Sequence, residues 1–179
     1  ELPRQILGTP AVAQIAGTPL FCTALVMVYN YHGAHLPQRR VDVYHEIVNL
    51  LLGFWKPQER DLSGARELEF EDGTGVAYAD ESSAVGKKKS RLAHLALWMQ
   101  ENRLTDAPTD QARESLAAFI QEKDRKGRDT AVGWAENFLL NAHERSGIFV
   151  EIEPGKYAFT HQGFREYLVA TAVKDMRDD

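Results

Sequence analysis

His161 stands where an expected β hairpin gives way to a helix, at the end of the run Tyr157-Ala158-Phe159-Thr160-His161. An imidazole at a helix N-terminus can donate to a phosphate, and the helix end itself favours an anion. The competing reading is a histidine packed under the hairpin, since Phe159, Phe164 and Tyr167 flank it in sequence. Gly86-Lys87-Lys88-Lys89-Ser90 invites comparison with a phosphate-binding loop, and the comparison fails. Such a loop needs a glycine where Glu81 stands, a serine or threonine where Lys88 stands, and a hydrophobic strand leading into it. The run reads instead as a solvated helix start that can pair with the acids before it, or as a contact to phosphate or nucleic acid. His32 and His35 have no third histidine or carboxylate at ligand spacing, so no metal site is expected. With no nucleophile elbow, no His-Glu-x-x-His and no cysteine paired in sequence with a catalytic histidine, the chain carries no catalytic apparatus of its own.

The elements that must position these residues can be read from periodicity. Gly147 is placed to close a helix in the left-handed conformation, with Ile148 folding back on the last turn. A hairpin follows, in which Ile148, Val150 and Ile152 alternate with Phe149, Glu151 and Glu153; Pro154-Gly155 turns; Tyr157 and Phe159 alternate on the return. A last helix starts near Thr160 with Phe164, Tyr167, Leu168, Thr171 and Ala172 on one stripe. Three further helices are expected before the hairpin: Arg91 to Asn102, Pro108 to Lys123, and Arg128 to Ser146. Their inward residues are Leu92, Leu95, Trp98 and Met99; Leu116, Phe119 and Ile120; and Val132, Ala135, Leu139 and Ala142. Three helices, a two-stranded wing and a closing helix make a winged-helix domain.

Nearer the start, Pro10 to Ala16 is a short helical piece, and Gly17-Thr18-Pro19-Leu20 opens a strong helix running to about Tyr31. Thr18 can cap it, and Pro19 occupies the first turn, where its missing N–H costs nothing. Because Leu20, Phe21, Leu25, Val26 and Val28 make it apolar nearly all round, it should be buried. A second long helix carries Val41, Tyr44, Val48, Leu51, Leu52 and Trp55 on one stripe and ends at Pro57, and the two should pack as a pair. Between Gln58 and Gly86 periodicity is poor, with a short strand expected only at Gly75 to Ala79. The expected fold is mainly α: a helical domain over 1–57, an acidic linker over 58–86 and a winged-helix domain over 87–179.

The charge distribution narrows the partners. The net charge is −5, and Glu59 to Glu81 alone holds eight acids against two bases, while Lys87 to Asp179 holds fifteen of each. Neither flanking part has the excess of lysine and arginine that neutralising nucleic-acid phosphates requires. With 44% hydrophobic residues the chain can bury a core, and one cysteine, Cys22, excludes an intrachain disulfide framework. Pro19 to Tyr29 is the longest apolar run, too short for a bilayer span of roughly 20 residues, so no membrane partner and a cytoplasmic location are expected. Glu1 has no methionine before it, and the opening reads like the interior of a longer protein.

Arg145-Ser146-Gly147-Ile148-Phe149-Val150, then Tyr157-Ala158-Phe159-Thr160-His161, then Phe164-Arg165-Glu166-Tyr167-Leu168-Val169-Ala170 resembles the end of the NACHT module in the STAND class of signal-transduction NTPases. Arg165 stands where that family usually has glutamine. Gly17-Thr18-Pro19-Leu20 is similar to the Gly-x-Pro-Leu that opens the family's helical domain. Leu36-Pro37 with Arg39-Arg40, Val43-Tyr44, Leu50-Leu51-Leu52 and Trp55 resembles its following helix, and Leu92 to Met99 its first winged-helix helix. Only the acidic linker has no counterpart.

The resemblance implies the regulatory portion of an ATPase whose nucleotide-binding core precedes Glu1 and holds ATP or ADP with magnesium. It implies that Pro19 lies against the adenine and ribose, that His161 approaches the β-phosphate of ADP, and that ATP exchange frees the winged helix for self-association and signalling to an effector. This portion alone lacks the Walker A lysine and Walker B acids and should not hydrolyse ATP. Two other classes fit the fold. One is a winged-helix DNA-binding regulator that reads DNA through Arg128 to Ser146; the other is a protein interaction module that uses no nucleotide.

Overall fold

The computed structural model describes residues 1–53 and 81–178. The chain divides into two compact units, Glu1–Leu50 and Leu51–Asp179. The strand expected at Gly75 to Ala79, and Trp55 and Pro57, lie outside the described residues.

In the first unit, α1 (Leu2–Gly8) and α2 (Pro10–Ala13) each carry a proline in the first turn, and a 3₁₀ turn over Ile15–Gly17 leads to α3 (Pro19–Tyr31). The Thr18 hydroxyl accepts the Phe21 N–H at 3.4 Å, so the cap forms as its residue types require. α3 buries Phe21, Ala24, Leu25 and Val28, four positions on one side of a 3.6-residue period. It is not buried all round, because Leu20, Val26 and Tyr31 are exposed. Helix α4 (Arg40–Gly53) turns Val43, Tyr44, Ile47 and Val48 inward. Val41, at the margin of that stripe in the first turn, is 52% exposed. The expected pairing of α3 and α4 is realised where the Phe21 ring meets Tyr44 edge-on, centroids 5.7 Å apart, and where His32 meets Glu46 at 2.8 Å. Gln5 ties the connecting loop down, donating to the Ala34 carbonyl at 3.0 Å and accepting the Leu36 N–H at 3.1 Å.

In the second unit, α5 runs Glu81–Glu101, starting ten residues before the Arg91 that its apolar period suggests and inside the stretch expected as linker. Gly86 to Ser90 offers no apolar period, yet its Lys88 is buried and belongs to the helix interior. α6 (Thr109–Asp124) packs chiefly on α7 (Arg128–Asn141), and α5 chiefly on α8 (Gln162–Asp178). A π turn over Ala142–Ser146 ends at Gly147, whose φ of 63° is the left-handed closure expected of it. The wing is β2 (Phe149–Glu153) against β3 (Lys156–Phe159), with Phe149 opposite Phe159 and Gly155 at φ 80° in the turn.

The sheet has a third strand that the alternation does not announce. β1 (Ala107–Pro108) pairs antiparallel with β3, giving the order β1-β3-β2. Two residues are too few to show a period, and a proline is tolerated because β1 is an edge. Phe149, Tyr157 and Ala107 are buried, and Phe149 stacks on Tyr157 at 5.5 Å. A mainly α winged-helix fold is therefore what the chain adopts.

Candidate functional site

The opening turn of α8 is held by its own residues and by the base of the wing. Thr160 donates its hydroxyl to the Gly147 carbonyl at 2.8 Å and to the Ile148 carbonyl at 3.3 Å, while its N–H reaches Ile148 O at 3.0 Å. Ser146 works one step upstream: its hydroxyl donates to Ala142 O at 2.7 Å and accepts the Ile148 N–H at 3.1 Å. These bonds fix the start of α8 to the end of the π turn. The sequence marks Thr160 as the approximate start of the last helix, a usual place for such a bond, and gives Ser146 no role.

His161 follows, half-buried at the head of α8. Its Nδ1 accepts the Gly163 N–H at 2.9 Å, and its ring meets Phe164 edge-on at 6.4 Å. With Nδ1 accepting, the neutral ring carries its proton on Nε2. That is the tautomer with a donor to offer a phosphate. The ring packs edge-on against Phe164 of α8 while its Nδ1 is engaged by the Gly163 backbone.

Pro19 sits at the first position of α3 in the other unit, exposed. On the same outward side of α3 lie Cys22, Thr23, Val26 and Asn30, all exposed and none charged. The helix has no charged residue along its 13 positions.

The lysine run does not form a phosphate loop. Lys88 is buried, and the neighbouring Arg91, only 2% exposed, donates to Asp124 Oδ2 at 3.1 Å and lies over the rings of Trp134 and Phe138 at 5.9 and 5.6 Å. Lys126 approaches the same Trp134 ring at 5.2 Å. Burial and these partners make this part of the run a core feature. His32 pairs with Glu46, and His35 Nδ1 donates to Gly33 O at 3.1 Å. Among the described residues no three His, Cys, Asp or Glu side chains gather as metal ligands.

His94, which the sequence reading passed over, is a half-buried histidine held between α5 and α6. It stacks on Phe119 at 4.5 Å and bonds to the Ser115 carbonyl and hydroxyl at 3.1 and 3.0 Å. Burial lowers its pKa below the ordinary histidine value, against the smaller opposing effects of the Ser115 carbonyl and of Glu101 and Glu122.

Three basic residues on the side that a DNA-reading winged helix would use are paired with acids. Arg128 at the start of α7 donates to Glu114 at 2.7 Å, Arg113 bridges Asp110 and Glu136 at 3.0 and 3.2 Å, and Lys156 on the wing pairs with Glu153 at 3.2 Å. Exposed Leu140 and Ile152 add no phosphate contact. Among the described residues, no helix is long and apolar enough to cross a membrane.

Neither the curated proteins nor the solved structures contain a match to the chain. The family described as the winged helix-turn-helix domain C-terminal to NACHT matches residues 40–173, from the first residue of α4 to the last turns of α8. The hairpin, the Gly147 closure and the Phe164-to-Leu168 stripe all fall inside that span, and the chain belongs to this family of winged-helix domains that follow a NACHT domain in the same polypeptide.

Proposed function

We propose that this chain is the regulatory, nucleotide-sensing part of a NACHT-type signal-transduction ATPase in the cytoplasm. The preceding core holds ADP or ATP with magnesium; Pro19 lies against the base and ribose, and His161 donates to the β-phosphate of ADP. Exchange for ATP breaks the His161 contact, frees the winged helix and permits self-association that passes a signal to an effector. The observation that carries this reading is the Nδ1 bond of His161 to Gly163, which sets the proton on Nε2 while anchoring the ring. The uncharged outward side of α3 supports it from the other unit, as a surface suited to a covering domain rather than to water.

The test uses the polypeptide with its NACHT domain. His161→Asn keeps a short polar side chain able to cap α8 but removes the Nε2 donor. Purified wild-type protein should carry ADP, released on denaturation and measured by chromatography. The variant should keep its thermal midpoint within a few degrees, lose most of the bound ADP and oligomerise without added ATP. Undiminished ADP in a folded His161→Asn protein would remove His161 from the mechanism and favour an interaction module that uses the same fold without nucleotide.

A further inference from the structure

Arg165 departs from what a structural arginine in this fold looks like. It is half-buried, and its Nε is enclosed with no hydrogen-bond partner among the described residues. Its bond to the protein runs from Nη2 to Gln100 Oε1 on α5 at 3.1 Å, a neutral acceptor on an exposed side chain. Arg91 also encloses a nitrogen without a partner, Nη1, but both it and the half-buried Arg113 face carboxylates, which Arg165 does not. Arg165 forms no ion pair among the described residues, and it is the fourth residue of α8, at the positive end of the helix dipole.

Both circumstances cost stability. A partly desolvated guanidinium without a counter-charge is unfavourable, and a cation in the first turn of a helix opposes the dipole. An anion at the head of α8 would offset both. The neighbour one turn back is His161, with Arg165 N–H directed at its carbonyl at 3.5 Å, so the two side chains rise from adjacent turns. Gln100 engages one of the five guanidinium donors and holds it weakly, because a neutral amide acceptor competes poorly with a charged oxygen.

Resting on the nucleotide reading of His161, we propose that Arg165 is a second phosphate-binding residue, exchanging Gln100 for the diphosphate of bound ADP beside His161. The position then sets how strongly the winged helix grips the diphosphate rather than the nucleoside. His161 supplies a neutral donor and Arg165 a permanent charge. The grip should accordingly be more sensitive to salt than a histidine alone would make it.

The experiment compares ADP and adenosine binding by calorimetry in the NACHT-containing polypeptide, wild type against Arg165→Gln, Arg165→Lys and His161→Asn. Arg165→Gln should weaken ADP about tenfold, leave adenosine unchanged and flatten the fall of ADP affinity with salt. Arg165→Lys keeps the charge without the fork and should lose about threefold, which also serves if the glutamine variant fails to fold. Equal losses for ADP and adenosine, or an unaltered ADP affinity in a folded Arg165 variant while His161→Asn weakens it, overturn the Arg165 assignment and leave the His161 reading standing. Wild-type protein that binds no ADP, or His161→Asn without effect, sinks the underlying reading, and Arg165 falls with it.

Discussion

A threonine stands just before each of the two helices that carry the candidate residues, and the two threonines do different work. Thr18 caps its own helix, accepting the Phe21 N–H at 3.4 Å, and leaves Pro19 exposed in the next position. Thr160 caps nothing; it donates to Gly147 and Ile148, and the capping passes to His161. One start is settled locally by residues three apart. The other is settled by residues thirteen and twelve positions away, at the base of the wing. A side chain required to present one donor in one tautomer belongs at the second kind of start, because its surroundings over-determine its position.

The largest test of that contrast removes the packing beneath the second start. Phe164 is fully buried one turn into α8, and its ring lies edge-on to His161. Phe164→Ala should cost about 3–5 kcal/mol by urea unfolding, the usual range for a buried aromatic. A cost below about 1 kcal/mol would mean that α8 is not anchored through this ring. Next comes the threonine pair. Thr160→Val removes a hydroxyl that donates to two carbonyls and should cost about 1–2 kcal/mol, whereas Thr18→Val removes a single long cap bond and should cost about 0.5–1 kcal/mol. Equal costs would erase the distinction between a local and a tertiary start.

A gentler test needs no deletion. The second unit contains the half-buried His94, while His32 and His35 of the first unit are exposed. His94 has its pKa lowered by burial, so the unfolded chain binds the proton more readily than the folded one. Its contribution is fully present above the unfolded value of 6.5 and is lost as pH falls below that value toward the lower folded one. The unfolding midpoint of the second unit should decline over that window, and His94→Phe should flatten the decline; an identical slope in the variant would assign it elsewhere.

Much of this was legible because it rests on local chemistry. The Gly147 closure, the Thr18 cap, the Pro154-Gly155 turn and the spacing of Phe164 and Leu168 are each decided by residues a few positions apart. What escaped depends on partners distant in sequence. The opening of α5 is hidden because Lys88 and Arg91 bury charged side chains, which periodicity scores as solvent-facing. β1 is hidden because its two residues are a strand only by pairing with Tyr157 and Lys156. The exposure of Val26 and Leu20 is hidden for the converse reason: composition shows what a helix can bury, not what covers it. At the site, His161 was visible as a residue type at a helix start, but its tautomer comes from Gly163, and the setting of Arg165 comes from Gln100, 65 positions away.

The smallest effect on stability is expected at Pro19, and its smallness makes it useful. Pro19 is exposed at a position whose N–H would be unbonded in any case, so Pro19→Ala removes neither packing nor a hydrogen bond from the folded chain. Thermal unfolding should move by the equivalent of about 0.5 kcal/mol or less. Any larger loss of retained ADP in the NACHT-containing polypeptide then reports a contact between the ring and the nucleotide, and not a weakened helix. If ADP retention follows the small stability change instead, Pro19 does no more than start α3, and nucleotide sensing rests on the tied-down head of α8 alone.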